Sequence, residues 1–190
     1  MSNSKGFTLV ELAIVLAIIG VILGGVVKGT QLIANARAKG IYKNFQSVQT
    51  AVLSYQDANG FLPGDSNLNG GTGDGDGTIE GTWNSTTATD ETRLFWRDLR
   101  AANLYTGDAT STTLPNNAFG TIMGVSHGTA VSPFAANTLV LCFNNIPVAN
   151  IAQLDTTYDD GADQTGDIRT TTDVTYGTTT GNAIVCMRIQ

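Results

Sequence analysis

The chain has 190 residues, a formal net charge of -6 at pH 7 and a charged fraction of 14%. This length suits one globular domain with an appended segment, and the charged fraction is well below the roughly 25% of average soluble domains. With only 10 Lys and Arg residues, a broad surface for nucleic-acid phosphates is disfavoured, and we expect no nucleic-acid partner.

The first predicted element is an apolar helix over residues 7–27, in which Glu11 is the only charged residue. Such a helix would be about 31 Å long, which matches the hydrocarbon core of a bilayer. A cleaved secretory signal would have a shorter apolar run followed by a small-residue cleavage site, and this sequence has neither. A carboxylate costs several kcal/mol in lipid unless it has a partner, so we interpret Glu11 as a functional residue.

Residues 5–11, KGFTLVE, resemble the signature of prepilins, the precursors of type IV pilins and type II secretion pseudopilins. The resemblance implies that prepilin peptidase, a membrane aspartic peptidase, cuts between Gly6 and Phe7 and that the new N-terminal Phe7 is methylated. It also implies an assembly role for Glu11, whose partner would be the N-terminal amine of a neighbouring subunit. On this interpretation Glu11 lacks a partner in a single chain, and the contact would relieve the desolvation of both charges.

The resemblance further implies an α+β pilin fold, with one long N-terminal helix packed on a small antiparallel β-sheet body. Residues 1–6 would be the leader, 7–28 the transmembrane and filament-core helix, 29–58 its amphipathic continuation and 59–190 the periplasmic or extracellular body. Before assembly, the chain would cross the inner membrane once, with a cytoplasmic N-terminus. Charge counting alone would place the body inside the cell, because Lys5 is the only basic residue before the apolar run and four basic residues follow it. These four are Lys28, Arg37, Lys39 and Lys43.

Past the apolar run, large apolar residues recur at alternating steps of four and three, which predicts one buried helical stripe: Ile41, Phe45, Val48, Val52 and Tyr55. The helix should end near Ala58, because Asn59, Gly60 and Pro63 disfavour its continuation.

The body is predicted to contain a loop (61–90), a short helix (91–104), one or two helical turns (147–155) and antiparallel strands (119–125, 137–144 and 182–189). Leu94, Phe95, Leu99 and Ala102 would be the buried residues of the short helix. Ser126 and His127 are interpreted as part of a turn. No catalytic residues are identified, and we do not expect an enzyme.

The predicted loop contains a candidate calcium site. Asp65, Asn67 and Asn69 alternate as in the first half of an EF-hand loop, and Asp74 and Asp76 follow closely. Oxygen ligands of this kind suit calcium, and weak affinity is expected. The alternative is a flexible, solvated loop. For a second acidic stretch, residues 159–167, turn formation is favoured over calcium binding.

Cys142 and Cys186 lie in two separate strand-like runs. If the body is outside the cytoplasm, they can form a disulfide that stabilises it by about 3–4 kcal/mol. The alternative is two separate buried thiols.

The resemblance implies a structural subunit of a type IV pilus or a type II secretion pseudopilus, which polymerises through its N-terminal helix. Its partners would be copies of itself, other pilins, prepilin peptidase and the inner-membrane assembly platform. The alternative is a minor pilin at a filament tip that binds DNA, a surface or a secreted substrate.

Overall fold

A computed structural model describes residues 6–68, 72–128, 134–170 and 174–189. In chain order these residues form α1 (Leu9–Asn59), α2 (Glu91–Ala101), β1 (Met123–His127), β2 (Leu139–Pro147), α3 (Val148–Tyr158), β3 (Ile168–Thr170) and β4 (Asn182–Arg188). The chain divides into two compact units, and the boundary lies between Ala36 and Arg37. Helix α1 therefore contributes residues to both units.

In the second unit, helix α1 buries the predicted apolar stripe. Five residues at the predicted positions are buried, namely Ile41, Phe45, Val48, Val52 and Tyr55. They share one hydrophobic core with apolar side chains of α2 and of the sheet, such as Phe95, Leu141 and Met187. Burial of these side chains is the main stabilising contribution, at about 1.5–3 kcal/mol for each large one. The expected arrangement of a long N-terminal helix with a small antiparallel sheet is confirmed.

The four strands form one antiparallel sheet in the order β1-β2-β4-β3. Leu141 lies opposite Val125 on one side and Met187 on the other, so β2 is an interior strand. Strand β3 has three residues and was not predicted. The first strand begins at Met123 rather than at residue 119, because the side chain of Asn117 accepts the Phe119 amide hydrogen in a preceding turn.

The opposite face of the sheet carries a smaller apolar cluster built around the two cysteines. Cys142 and Cys186 are paired across β2 and β4 and are joined by a disulfide. Trp83 and Phe134 cover this face together with Val140. The body therefore has apolar packing on both faces of its sheet.

The two smaller helices differ from their predicted boundaries. Helix α2 ends at Ala101 instead of residue 104, because Asn103 adopts a positive φ of 58°. Ala102, predicted to be buried, is consequently exposed. Helix α3 runs on to Tyr158 rather than ending at residue 155, which gives it 11 residues.

The interpretation of Ser126 and His127 as a turn was wrong. Both residues are buried in strand β1. The Ser126 hydroxyl donates to the Gly81 carbonyl oxygen at 3.1 Å, and His127 Nδ1 accepts the Ile79 amide hydrogen at 2.8 Å. The loop that precedes α2 thus covers the outer strand, and these tertiary bonds outweigh the turn preference of the flanking glycines.

Candidate functional site

The predicted processing and assembly residues lie at the start of α1. Gly6 and Phe7 precede the helix, and the Phe7 side chain is 83% exposed. Helix α1 begins at Leu9, so Thr8 is its N-cap residue and Glu11 lies in its first turn. The predicted processing position is accessible, and the carboxylate is placed beside the free amides of a helix terminus.

Thr8 and Glu11 form a reciprocal capping box. One carboxylate oxygen of Glu11 accepts the Thr8 amide hydrogen at 2.8 Å and the Thr8 hydroxyl hydrogen at 2.9 Å. The Thr8 hydroxyl oxygen accepts the Glu11 amide hydrogen at 3.2 Å. The expectation that Glu11 lacks a partner in a single chain is thus corrected. The Thr-x-x-Glu spacing of a capping box was visible in the sequence and was missed.

The segment that follows presents an apolar surface. In the unit that ends at Ala36, large apolar side chains of α1 are exposed, as illustrated by Leu9, Val21 and Leu23. Helix α1 is long and apolar enough to cross a membrane by the criteria of length and composition. An apolar surface of this size on a helix requires lipid or protein around it.

The candidate calcium residues are brought together only in part. Asp65 and Asp74 approach Glu91, and one carboxylate oxygen from each lies within 4.8 Å of the others. Asp76 is exposed, and its carboxylate accepts the Thr78 amide hydrogen at 2.7 Å. Asn67 is exposed, while Asn69 lies outside the described residues.

Asp65 organises the loop around this cluster. Its side chain is buried, and its two carboxylate oxygens accept the amide hydrogens of Gly75 and Gly77, both at 2.9 Å. Burial raises the pKa of Asp65. The two hydrogen bonds act to lower this pKa, whereas the nearby negative charges of Asp76 and Asp74 act to raise it further. The carboxylate therefore closes a loop of about a dozen residues in addition to facing Asp74.

Glu91 is the member of the cluster that sequence reasoning missed. It lies in the first turn of α2, is 6% exposed, and accepts the Glu80 amide hydrogen at 3.0 Å. Burial, together with the neighbouring Glu80 side chain, raises the pKa of Glu91 to about 8. The sequence did place an acidic residue, Glu91, directly after the predicted loop. An acidic residue is also common in the first turn of a helix, where it interacts favourably with the helix dipole, so its position alone did not indicate a metal ligand.

Next to the cluster is a polar cavity of about 370 Å³, lined mainly by oxygen-bearing side chains: Thr72, Asp74, Glu80, Thr89, Asp90 and Glu91, with Gly81. Carboxylates that lie this close together repel one another. Binding of a proton or of a hard cation would reduce this repulsion. The arrangement is chemically suited to calcium.

The second acidic stretch forms hydrogen-bonded turns. One carboxylate oxygen each of Asp155, Asp159 and Asp160 lies within 4.8 Å of the others. Asp159 accepts the Ile168 amide hydrogen at 2.7 Å, and Asp160 accepts that of Ala162 at 3.0 Å. These bonds fit the turns that were favoured for this stretch.

Comparison with known proteins identifies the N-terminal segment. Residues 1–27 match the family model described as the prokaryotic N-terminal methylation motif. The chain therefore carries this motif, and the predicted N-terminal methylation signal is confirmed.

A solved structure is similar to the chain at a distant level. The major type IV pilin PilA1 from Clostridium difficile is 15% identical, with a TM-score of 0.45, and the match covers 83% of this chain and 96% of that chain. A similarity at this level does not establish a common function. No curated protein matches the chain in sequence.

Proposed function

We propose that this chain is a structural subunit of a type IV pilus or a type II secretion pseudopilus. The observation that carries the proposal is the N-terminal methylation motif over residues 1–27, which includes the apolar start of α1 with Glu11 as its one carboxylate. Prepilin peptidase would cut between Gly6 and Phe7. The released Phe7 amine would be methylated, and assembly would bury the exposed apolar surface of α1 against other subunits.

Before assembly, the subunit would cross the inner membrane once, with a cytoplasmic N-terminus and a periplasmic body. The disulfide between Cys142 and Cys186 supports this orientation, because structural disulfides persist outside the reducing cytoplasm. The partners would be copies of the chain, other pilins and the inner-membrane assembly platform. In the filament, Glu11 would exchange its bonds to Thr8 for the N-terminal amine of a neighbour, so that its carboxylate is partnered both before and after assembly.

The intact mass of the protein isolated from its native membrane tests the processing step. We expect a chain that begins at Phe7 and carries one added methyl group. A Gly6→Val variant, whose side chain obstructs the cleavage position, should retain its leader and serves as the control. A native chain that keeps residues 1–6 would contradict the proposal.

Deletion of the gene tests the structural role against the tip-binding alternative. Loss of a main subunit should abolish filaments, and expression of the intact chain should restore them. If filaments persist but attachment, DNA capture or secretion is lost, the chain is a minor pilin that binds at the tip. A Glu11→Gln variant should be cleaved normally but assemble poorly, because it removes the charge without changing the side-chain volume.

We also propose that calcium binds weakly at the cluster of Asp65, Asp74 and Glu91. The support is the approach of three carboxylates beside a polar cavity, since calcium takes six to eight oxygen ligands. Backbone carbonyl oxygens and water would complete the shell.

Thermal unfolding of the full chain in detergent, with millimolar calcium against a chelator, tests this site. We expect a higher melting temperature with calcium and a smaller effect of magnesium. Glu91→Gln should reduce the shift, whereas Asp57→Asn, at an exposed position on α1, should leave it unchanged. Equal melting temperatures with calcium and with chelator would contradict the calcium site.

A further inference from the structure

Two tyrosine rings are stacked where the second half of α1 meets the end of α3. The ring centroids of Tyr42 and Tyr158 are 3.7 Å apart, and the ring planes differ by 7°. Such a parallel stack is less favourable for two electron-rich rings than an offset or edge-to-face pair. The ring carbons of one phenol lie over those of the other, although the residues are far apart in sequence.

The pair is accessible from solvent. Tyr158 is the last residue of α3 and is 41% exposed, while Tyr42 is half-buried. Both rings line a cavity of about 180 Å³ together with Phe45, Asp167 and Arg188. A small oxidant can reach the rings, and the terminal position of Tyr158 in its helix leaves its ring room to tilt.

From this geometry we propose that Tyr42 and Tyr158 form a site of oxidative cross-linking, which yields dityrosine within one chain when a peroxidase oxidises the two phenols with hydrogen peroxide. This site belongs to the second unit and does not depend on the proposed filament role.

The reaction balances as a two-electron oxidation. Each phenol loses one electron and one proton, and the two phenoxyl radicals join through the ring carbons ortho to their oxygens. Coupling leaves each ring as a dienone, and the hydrogens on the two joined carbons then move to the carbonyl oxygens, which restores both phenols. One C–C bond replaces two C–H bonds, and hydrogen peroxide takes up the two electrons and two protons to become two molecules of water.

The other three tyrosines are internal controls. Tyr55 is buried, Tyr105 packs edge-to-face on Trp96, and the Tyr176 hydroxyl donates to Asp155 at 2.8 Å. Among the ring contacts of the described residues, Tyr42 and Tyr158 are the only two tyrosines that meet. Coupling within one chain should therefore select this pair.

Peptide mapping of the full chain in detergent, after treatment with a peroxidase and hydrogen peroxide, tests the site. Cleavage after Lys and Arg gives peptide 40–43, which contains Tyr42, and peptide 101–169, which contains Tyr105 and Tyr158. After reduction of the disulfide, we expect these two peptides joined, with a mass two hydrogens below their sum. The product should be found in the monomeric protein and should show dityrosine fluorescence.

Three conservative variants locate the bond. Tyr42→Phe and Tyr158→Phe keep the stacked rings but remove a phenol, and each should abolish the joined peptide. Tyr105→Phe should leave its yield unchanged. Near-ultraviolet circular dichroism would establish that the variants are folded. The proposal is overturned if the wild-type monomer yields no joined peptide, if Tyr158→Phe retains it, or if it occurs only in covalent dimers.

Discussion

The capping box at Thr8 and Glu11 shows how one carboxylate can be stable in two settings. In a single chain, Glu11 accepts two hydrogen bonds from Thr8 at the helix terminus, where free amides favour a negative charge. In the proposed filament, the N-terminal amine of a neighbour would replace these bonds, so Glu11 would have partners both before and after assembly. The hydrogen bonds from Thr8 therefore offset part of the free-energy cost of desolvating the carboxylate before any assembly takes place.

His127 makes the stability of the body sensitive to mild acid. Burial lowers the pKa of its imidazole below the usual value of 6.5, although the nearby carboxylates of Glu80, Asp65 and Asp76 oppose this shift. Just below pH 6.5 the unfolded chain binds more protons than the folded chain. The contribution of His127 is therefore fully present above about pH 6.5 and is lost as the pH falls through its lowered folded pKa.

Between pH 7.5 and about pH 5.5, the melting temperature of the wild-type chain should fall relative to that of a His127→Asn variant, and the Ile79 amide should exchange faster. The comparison with the variant is needed because Glu91, with its pKa raised to about 8, contributes stability in the opposite direction over this range. Protonation of His127 removes the acceptor for that amide. His127→Asn is the matched control, because its amide oxygen can accept the same bond without titrating. The same pH dependence in the variant and in the wild-type chain would contradict this role of His127.

At the scale of elements, α2 fixes the loop that follows it through a buried arginine. Arg100 is 6% exposed and donates to the carbonyl oxygens of Ser111 at 2.7 Å and Thr113 at 2.8 Å. Arg100→Met should lower the free energy of unfolding by about 2–3 kcal/mol, since two charge-assisted bonds are lost and two carbonyl groups lose their donors.

Arg188→Met is the comparison for chemical denaturation of the full chain. Arg188 pairs with Asp167, but the two side chains are 49% and 53% exposed, so the variant should cost less than about 1 kcal/mol. Equal losses for the two arginine variants would contradict the role assigned to the buried Arg100.

Sequence patterns predicted the elements that are long and periodic. The α1 stripe that includes Ile41 and Val52 was correct, because its burial depends on helical spacing alone. Strand β3 was missed because three residues carry no measurable alternation, and its pairing with Met187 is set by tertiary structure. For the same reason, Asp65 and Asp74 could be proposed from local spacing, whereas Glu91 joins them only through the packing of α2.

At the scale of the whole molecule, the disulfide connects the two interior strands. Cys142 and Cys186 are 44 residues apart and fully buried, and each faces the other across the β2–β4 ladder. Replacement of both cysteines by serine should lower the free energy of unfolding by about 3–4 kcal/mol, because the unfolded chain regains the entropy of an open loop.

Denaturation of the wild-type chain with and without reductant, beside the double serine variant, measures this contribution. The variant should match the reduced wild-type chain closely, and added reductant should leave the variant unchanged. An unfolding free energy that is the same with and without the bridge would show that packing around Trp83 and Phe134 alone holds this face.

The place of β4 in the sheet has a consequence for biosynthesis. It lies between β2 and β3, so two of the three strand pairings require residues 182–188. A nascent chain that stops short of these residues can form only the β1–β2 pair, and an isolated two-stranded ribbon is marginally stable at best. During synthesis, and during the export that the proposed function requires, the body therefore remains open until almost all of it has emerged. Chaperones and proteases that meet the chain before then would encounter an unfolded polypeptide, and closure of the sheet would end that exposure in a single late step.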